Sequence, residues 1–100
     1  MKQIEAVIGR FKLEEVRSAL DQIGVEEFSE SVVITHSQRK GQEMIFRGAR
    51  FVATFVEKVK LEIIAADDSV AKIIEAIGSI ARTECKEDCR IAIRPYLEVT

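Results

Sequence analysis

Residues 58 to 64, KVKLEII, constrain the fold of this chain more than any other stretch. Val59, Leu61 and Ile63 alternate there with Lys58, Lys60 and Glu62. A period of two is the repeat of a β-strand, whose successive side chains point to opposite sides of a sheet. A strand that is apolar on one side and charged on the other belongs to a sheet with one face on a core and the other face uncovered. The start of the chain repeats the pattern: in residues 2 to 9, KQIEAVIG, Ile4, Ala6 and Ile8 share one side. A last strand over residues 90 to 97 sets Ile91 and Ile93 against Arg90, Ala92 and Arg94.

Two stretches change the period to that of a helix. Over residues 12 to 23, Leu13, Val16, Leu20 and Ile23 fall on one helical face, and Gly24 follows as a natural stop. After Asp67 and Asp68, either of which can cap a helix, Val70, Ile73, Ile74, Ile77 and Ile80 form a second apolar stripe. Gly78 interrupts it at a cost of up to about 1 kcal/mol relative to alanine. The β-branched run Val32, Val33, Ile34 and Thr35 marks a strand over roughly 25 to 35.

The resulting order is β-α-β, a loop, then β-α-β. Two such split units predict an α+β, ferredoxin-like βαββαβ sandwich in one domain over residues 1–100, with a four-stranded antiparallel sheet and both helices on one face. The uncovered face then carries apolar residues, Val7 and Ile64 among them, which favours covering it by association. A chain of 100 residues buries only part of its surface, so oligomerisation adds stability.

Between the two halves, residues 36 to 50, HSQRKGQEMIFRGAR, are polar and contain Gly41 and Gly48. Arg39, Lys40, Arg47 and Arg50 stand there against Glu43 alone. Loops longer than about 12–15 residues are uncommon in compact domains and usually serve a function. A basic surplus on a chain of net charge −2 is organised charge, whereas the overall balance argues against general nucleic-acid binding. No apolar run reaches membrane-spanning length and the N-terminus does not read as a signal peptide, so the expectation is a cytoplasmic protein without membrane insertion.

Catalytic signals are weak. The sequence has one histidine, His36, and lacks a nucleophile elbow, a P-loop and a GxGxxG. His36 reads more simply as a solvated or capping residue than as a base, and Glu14, Glu15 and Asp21 as solvated helix surface. Cys85 and Cys89 have three residues between them, unlike the CxxC of redox motifs and zinc knuckles. Two unrelated thiols, a reversible redox pair and a metal site with His36 all stay open. Arg39, Lys40, Lys58 and Arg90 lie at element ends that converge on one cleft edge in the expected fold, which implies a phosphate-like or carboxylate-like ligand; the simpler reading is a basic, solubilising surface.

These residues also carry a family likeness. The start MKQIEAVIGRFKLEEVRSALDQIGV, the segments RKGQEMIFRGARF and EKVKLEII, and the pair Asp67-Asp68 resemble PII signal-transduction proteins, collinearly over nearly the whole chain. The resemblance implies a non-catalytic homotrimer without a catalytic cofactor. Its lateral clefts would bind an adenine nucleotide (ADP, AMP or ATP), and its long loop would reach a target protein such as a transporter or enzyme. Matching positions place Val7, Ser29, Glu62 and Ile64 around adenosine, with Thr35, Ser37 and Gln38 in the cleft, Arg90 near the phosphates and Lys58 on a small anionic effector at the loop base. Arg39, Lys40 and Gly41 would complete the anion site, and Arg47, Arg50 and Phe51 the partner-facing loop.

Several residues depart from the family pattern. Thr35 and Ser37 replace cleft glycines, Arg39 replaces a glutamine that helps to hold Mg and 2-oxoglutarate, and Phe51 stands where some members carry a modified tyrosine. TECKEDCR replaces a glycine-rich run before the last strand. The departures imply weaker nucleotide binding together with a small anion such as bicarbonate, as in PII-like proteins tied to carboxysomes and inorganic-carbon uptake. A structural interaction trimer whose nucleotide site has decayed, or a redox-responsive trimer using Cys85 and Cys89, are the alternatives.

Overall fold

The structure is a computed structural model that describes residues 1–36, 43–46, 49–52, 55–82 and 89–100. Strand β1 covers Lys2–Gly9, helix α1 Leu13–Gln22, β2 Ser29–His36, β3 Glu43–Phe46, β4 Ala49–Val52, β5 Phe55–Ala65, helix α2 Val70–Ala81 and β6 Cys89–Pro95. Single 3-10 turns, Arg10–Lys12 and Asp67–Ser69, lead into the two helices. The main sheet has four strands in the order β2-β5-β1-β6, all neighbours antiparallel. This is the expected ferredoxin-like α+β arrangement.

The two-residue alternation decides what is buried. Ile4, Ala6 and Ile8 of β1 and Val59, Leu61, Ile63 and Ala65 of β5 turn to the helices, where they meet Val16 and Leu20 of α1 and Ile73, Ile77 and Ala81 of α2. Cys89 and Ile91 of β6 pack against the same cluster. The register explains why these residues share a side: Ile4 pairs with Ile63 and Ile93, and Ala6 with Leu61 and Ile91. Edge strand β2 lies beyond this cover, and its Val32 and Ile34 are 60% and 59% exposed. Arg17 of α1 ties that edge down by pairing with Glu30 of β2 as well as Glu14.

Gly24 ends α1 by a Schellman motif. Its N–H donates to the Asp21 carbonyl at 3.1 Å and the Val25 N–H donates to the Leu20 carbonyl at 3.0 Å. Gly24 has φ +87°, a conformation that only glycine adopts freely. The next residues, Val25 and Phe28, pack on the core rather than extending β2, so the strand starts at Ser29, later than its apolar pattern suggests.

Two local expectations change. Asp67 and Asp68 do not cap α2: they fall inside the preceding 3-10 turn, Ser69 takes the N-cap position without a side-chain bond, and Asp67 meets the N-terminal ammonium at 3.2 Å. The stretch 36–50, read as loop, also contains paired strands. Ile45 pairs with Arg50 and Met44 with Phe51 across the β3–β4 ladder, so Arg50 and Phe51 belong to a strand. Met44-Ile45-Phe46 and Phe51-Val52 are good strand formers separated by a short glycine-containing connection, a hairpin signal that the surrounding charges obscured.

Two substitutions test this account. Leu61→Ala, which empties a fully buried position, should cost about 2–5 kcal/mol in chemical denaturation. Gly24→Ala should cost about 1–2 kcal/mol while leaving the circular dichroism of the folded state unchanged, because it forces a Cβ into a left-handed conformation.

Candidate functional site

The side of the sheet away from the helices collects the alternate residues. Because the strands are in register, these form rows across the sheet. Ser29 of β2 pairs with Glu62 of β5, which pairs with Glu5 of β1, which pairs with Ala92 of β6. The next row is Ser31, Lys60, Val7 and Arg90, and the row after it is Val33, Lys58 and Gly9. Ile64, Gln3 and Arg94 form the row on the other side of Glu62. Thr35 sits further along β2, opposite Val56. Val7, Ser29, Thr35, Lys58, Glu62, Ile64 and Arg90, which the sequence singles out from four separate stretches, therefore lie on one open face. Ser37, Gln38, Arg39, Lys40, Gly41, Arg47 and Cys85 lie outside the described residues.

Charge changes sign along this face. Glu5 and Glu62 share one row, whereas Lys60 and Arg90 share the next and Lys58 continues the positive side. Lys60 lies between the two carboxylates, 3.7 Å from Glu5 and 3.2 Å from Glu62. Arg94 holds Glu5 at 2.7 Å, and the Gln3 side-chain amide donates to Glu62 at 3.1 Å. Arg90 is exposed and makes no ion pair among the described residues. One row offset and two strand spacings put the backbones of Lys58 and Arg90 about 12 Å apart, a distance that two long side chains can close upon one anion.

Two hollows mark the ends of the face. At the carboxylate end, a cavity of about 490 Å³ is lined by Ser29, Glu62, Ile64, Phe28 and Tyr96, among others. At the cationic end, another of about 490 Å³ is lined by Gly9, Arg10, Phe11, Val56, Glu57 and Lys58, with Arg10 bound to Glu57 at 2.6 Å. A carboxylate such as Glu62 accepts hydrogen bonds from hydroxyl and amino groups, and cations bind phosphate or carboxylate. The face thus offers hydrogen-bond acceptors at one end and cations at the other. Sequence reasoning missed Phe28 and Tyr96; the nearest signal was Tyr96 as the aromatic residue near the end of the expected last strand.

Cys89 lies on the helix side of β6, away from this face. Burial raises its thiol pKa, and the charges of Arg82 and Lys58 oppose that shift only in part. Such a thiol stays protonated near neutral pH and is a poor nucleophile. Among the described residues, no group of three or more His, Cys, Asp or Glu is placed to hold a metal ion, and no helix is long and apolar enough to cross a membrane.

The Arg94 hydrogen bond holds the Glu5 carboxyl below its ordinary pKa of 4.5, with Lys60 assisting and desolvation opposing. A carboxyl whose folded pKa is lowered stabilises the fold above its unfolded pKa and loses that contribution as pH falls through the folded value. Thermal melts should therefore show wild type losing stability below about pH 4.5 more steeply than Glu5→Gln. Parallel curves would remove Glu5 from the account.

The chain matches the family described as "Nitrogen regulatory protein P-II" over residues 1–99. Curated relatives agree. A nitrogen regulatory protein P-II from Cereibacter sphaeroides is 44% identical over 95 residues, covering 95% of this chain and 85% of the relative. Its counterpart from Azospirillum brasilense is 38% identical over 99 residues, covering 99% and 88%. That from Rhodobacter capsulatus is 41% identical over 93 residues, covering 93% and 83%. With its βαβ halves, its open charged face and this collinear identity, the chain belongs to the PII family of nitrogen regulatory proteins, and it is a signal-transduction regulator, not an enzyme.

Proposed function

We propose that this protein is a cytoplasmic homotrimeric sensor that binds an adenine nucleotide along the open face of its sheet and reports the bound state to a target protein, such as a transporter or enzyme, through the basic stretch of residues 36 to 50 and the adjoining Phe51. The adenosine part would lie at the Ser29, Glu62 and Ile64 end, with the phosphates toward Lys60, Lys58 and Arg90. A small anion such as bicarbonate would sit at Lys58, joined by Arg39, Lys40 and Gly41 from the segment that follows β2. The observation that supports this reading is the register, which sets Ser29, Glu62, Ile64, Lys60, Lys58 and Arg90 on one face and orders them from carboxylate to cation.

Oligomerisation fits the same geometry. Ser29 and Thr35 lie on edge strand β2 and Arg90 on edge strand β6, at opposite borders of the sheet. Three strand spacings, about 14 Å, separate these borders within one chain. A cyclic assembly that apposes the β2 edge of one copy and the β6 edge of the next would bring both groups to one cleft. It would also shelter the half-exposed Val56 and Ile64.

A structural trimer with a decayed nucleotide site is the competing reading, motivated by Thr35 and Ser37 at positions where the family has cleft glycines and by TECKEDCR in place of a glycine-rich run. The redox alternative rests on Cys85, which lies outside the described residues, and on Cys89, whose thiol pKa is raised by burial.

Light scattering should report a mass of three chains, and calorimetry should detect at least one of ADP, AMP and ATP, with Lys58→Ala weakening the response to bicarbonate. Absence of binding by every nucleotide, alone and with bicarbonate, would overturn the sensor reading and leave the structural trimer.

A further inference from the structure

The cavity at the carboxylate end contains a residue that the adenosine assignment does not include. Tyr96 follows β6 directly, and its backbone N–H donates to the Met1 carbonyl at 3.2 Å, continuing the β1–β6 pairing by one step. Pro95 precedes it with a fixed φ, so its backbone is held on both sides. Tyr96 is half-buried and lines the cavity of about 490 Å³ together with Ser29, Glu62 and Ile64. Phe28, the other aromatic residue on that wall, already packs against the core, whereas Tyr96 is not part of that cluster.

We infer that Tyr96 is a base-stacking residue that selects for a flat aromatic ligand at the Ser29–Glu62–Ile64 end of the open face. The inference rests on the nucleotide reading above and deepens it. The physical basis is simple. A tyrosine offers a large rigid surface with only two rotatable bonds to restrain, so it binds a flat partner at low entropic cost. Ile64 supplies apolar contact from the adjoining wall, and Glu62 accepts from amino or hydroxyl groups at the ligand's rim. The carboxylates of Glu27 and Glu98 beside Tyr96 repel phosphate, so a nucleotide has one favourable direction on this face, with base toward Tyr96 and phosphates toward Lys60, Lys58 and Arg90.

Tyr96 is the chain's single tyrosine and the chain has no tryptophan, so tyrosine emission reports on this residue alone. ATP titrated into wild type should quench that emission with the same midpoint that calorimetry gives. Tyr96→Leu, which keeps apolar volume without a ring, should weaken ATP binding by about tenfold, whereas Tyr96→Phe should bind as wild type does. Calorimetric binding of ATP with unchanged emission, or Tyr96→Leu binding ATP as tightly as wild type, would overturn the inference and leave the nucleotide site standing. Failure of wild type to bind any nucleotide would instead overturn the site reading, and the role of Tyr96 with it.

Discussion

The strict alternation along β5 is the constraint on which the rest of this structure depends. β5 is paired on both sides, so each of its side chains must face either the helices or the opposite surface. Val59, Leu61, Ile63 and Ala65 take the first direction and form the centre of the core, while Lys58, Lys60, Glu62 and Ile64 take the second. A slip of one residue would reverse both sets, burying Lys60 and Glu62 under the helices and exposing Leu61. The packing that stabilises the fold therefore also fixes the order of charges on the open face. Core and site are two readings of one register.

That coupling explains how residues far apart in sequence form a site without a special loop or motif. Glu5, Glu62, Lys60 and Arg94 meet because β1, β5 and β6 are held in phase by the apolar side. The ion pairs on this face are partly exposed, and pairs of that kind contribute little to stability individually. They hold the carboxylates of Glu5 and Glu62 beside Lys60 across the β1, β5 and β6 strands.

Much of this was legible in the sequence, for physical reasons that can be named. β1 follows from Ile4, Ala6 and Ile8 because a half-buried antiparallel strand must alternate. The end of α1 follows from Gly24, since a helix stop at positive φ favours glycine. Alternation pointed to Val7 and Ile64 on the open face and the element ends to Lys58 and Arg90, whereas Ser29 and Glu62 came from family likeness, and the register places all six on one face. The β3–β4 pairing was hidden because Arg47, Gly48 and Arg50 read as loop chemistry. Asp67 looked like a cap but lies a turn too early and meets the chain's own N-terminus, a partner that spacing cannot reveal. Tyr96 escaped notice because its position depends on a pairing between opposite ends of the chain.

The central claim is that the ligand lies on the open face of the sheet and not among the helices. Photolabelling with an azido-adenine nucleotide, followed by peptide mapping, tests it most directly. The account predicts adducts within residues 27–36, 58–64 or 89–98, suppressed by excess unmodified nucleotide. Competable adducts confined to α1 or α2, residues 13–22 or 70–81, would contradict it.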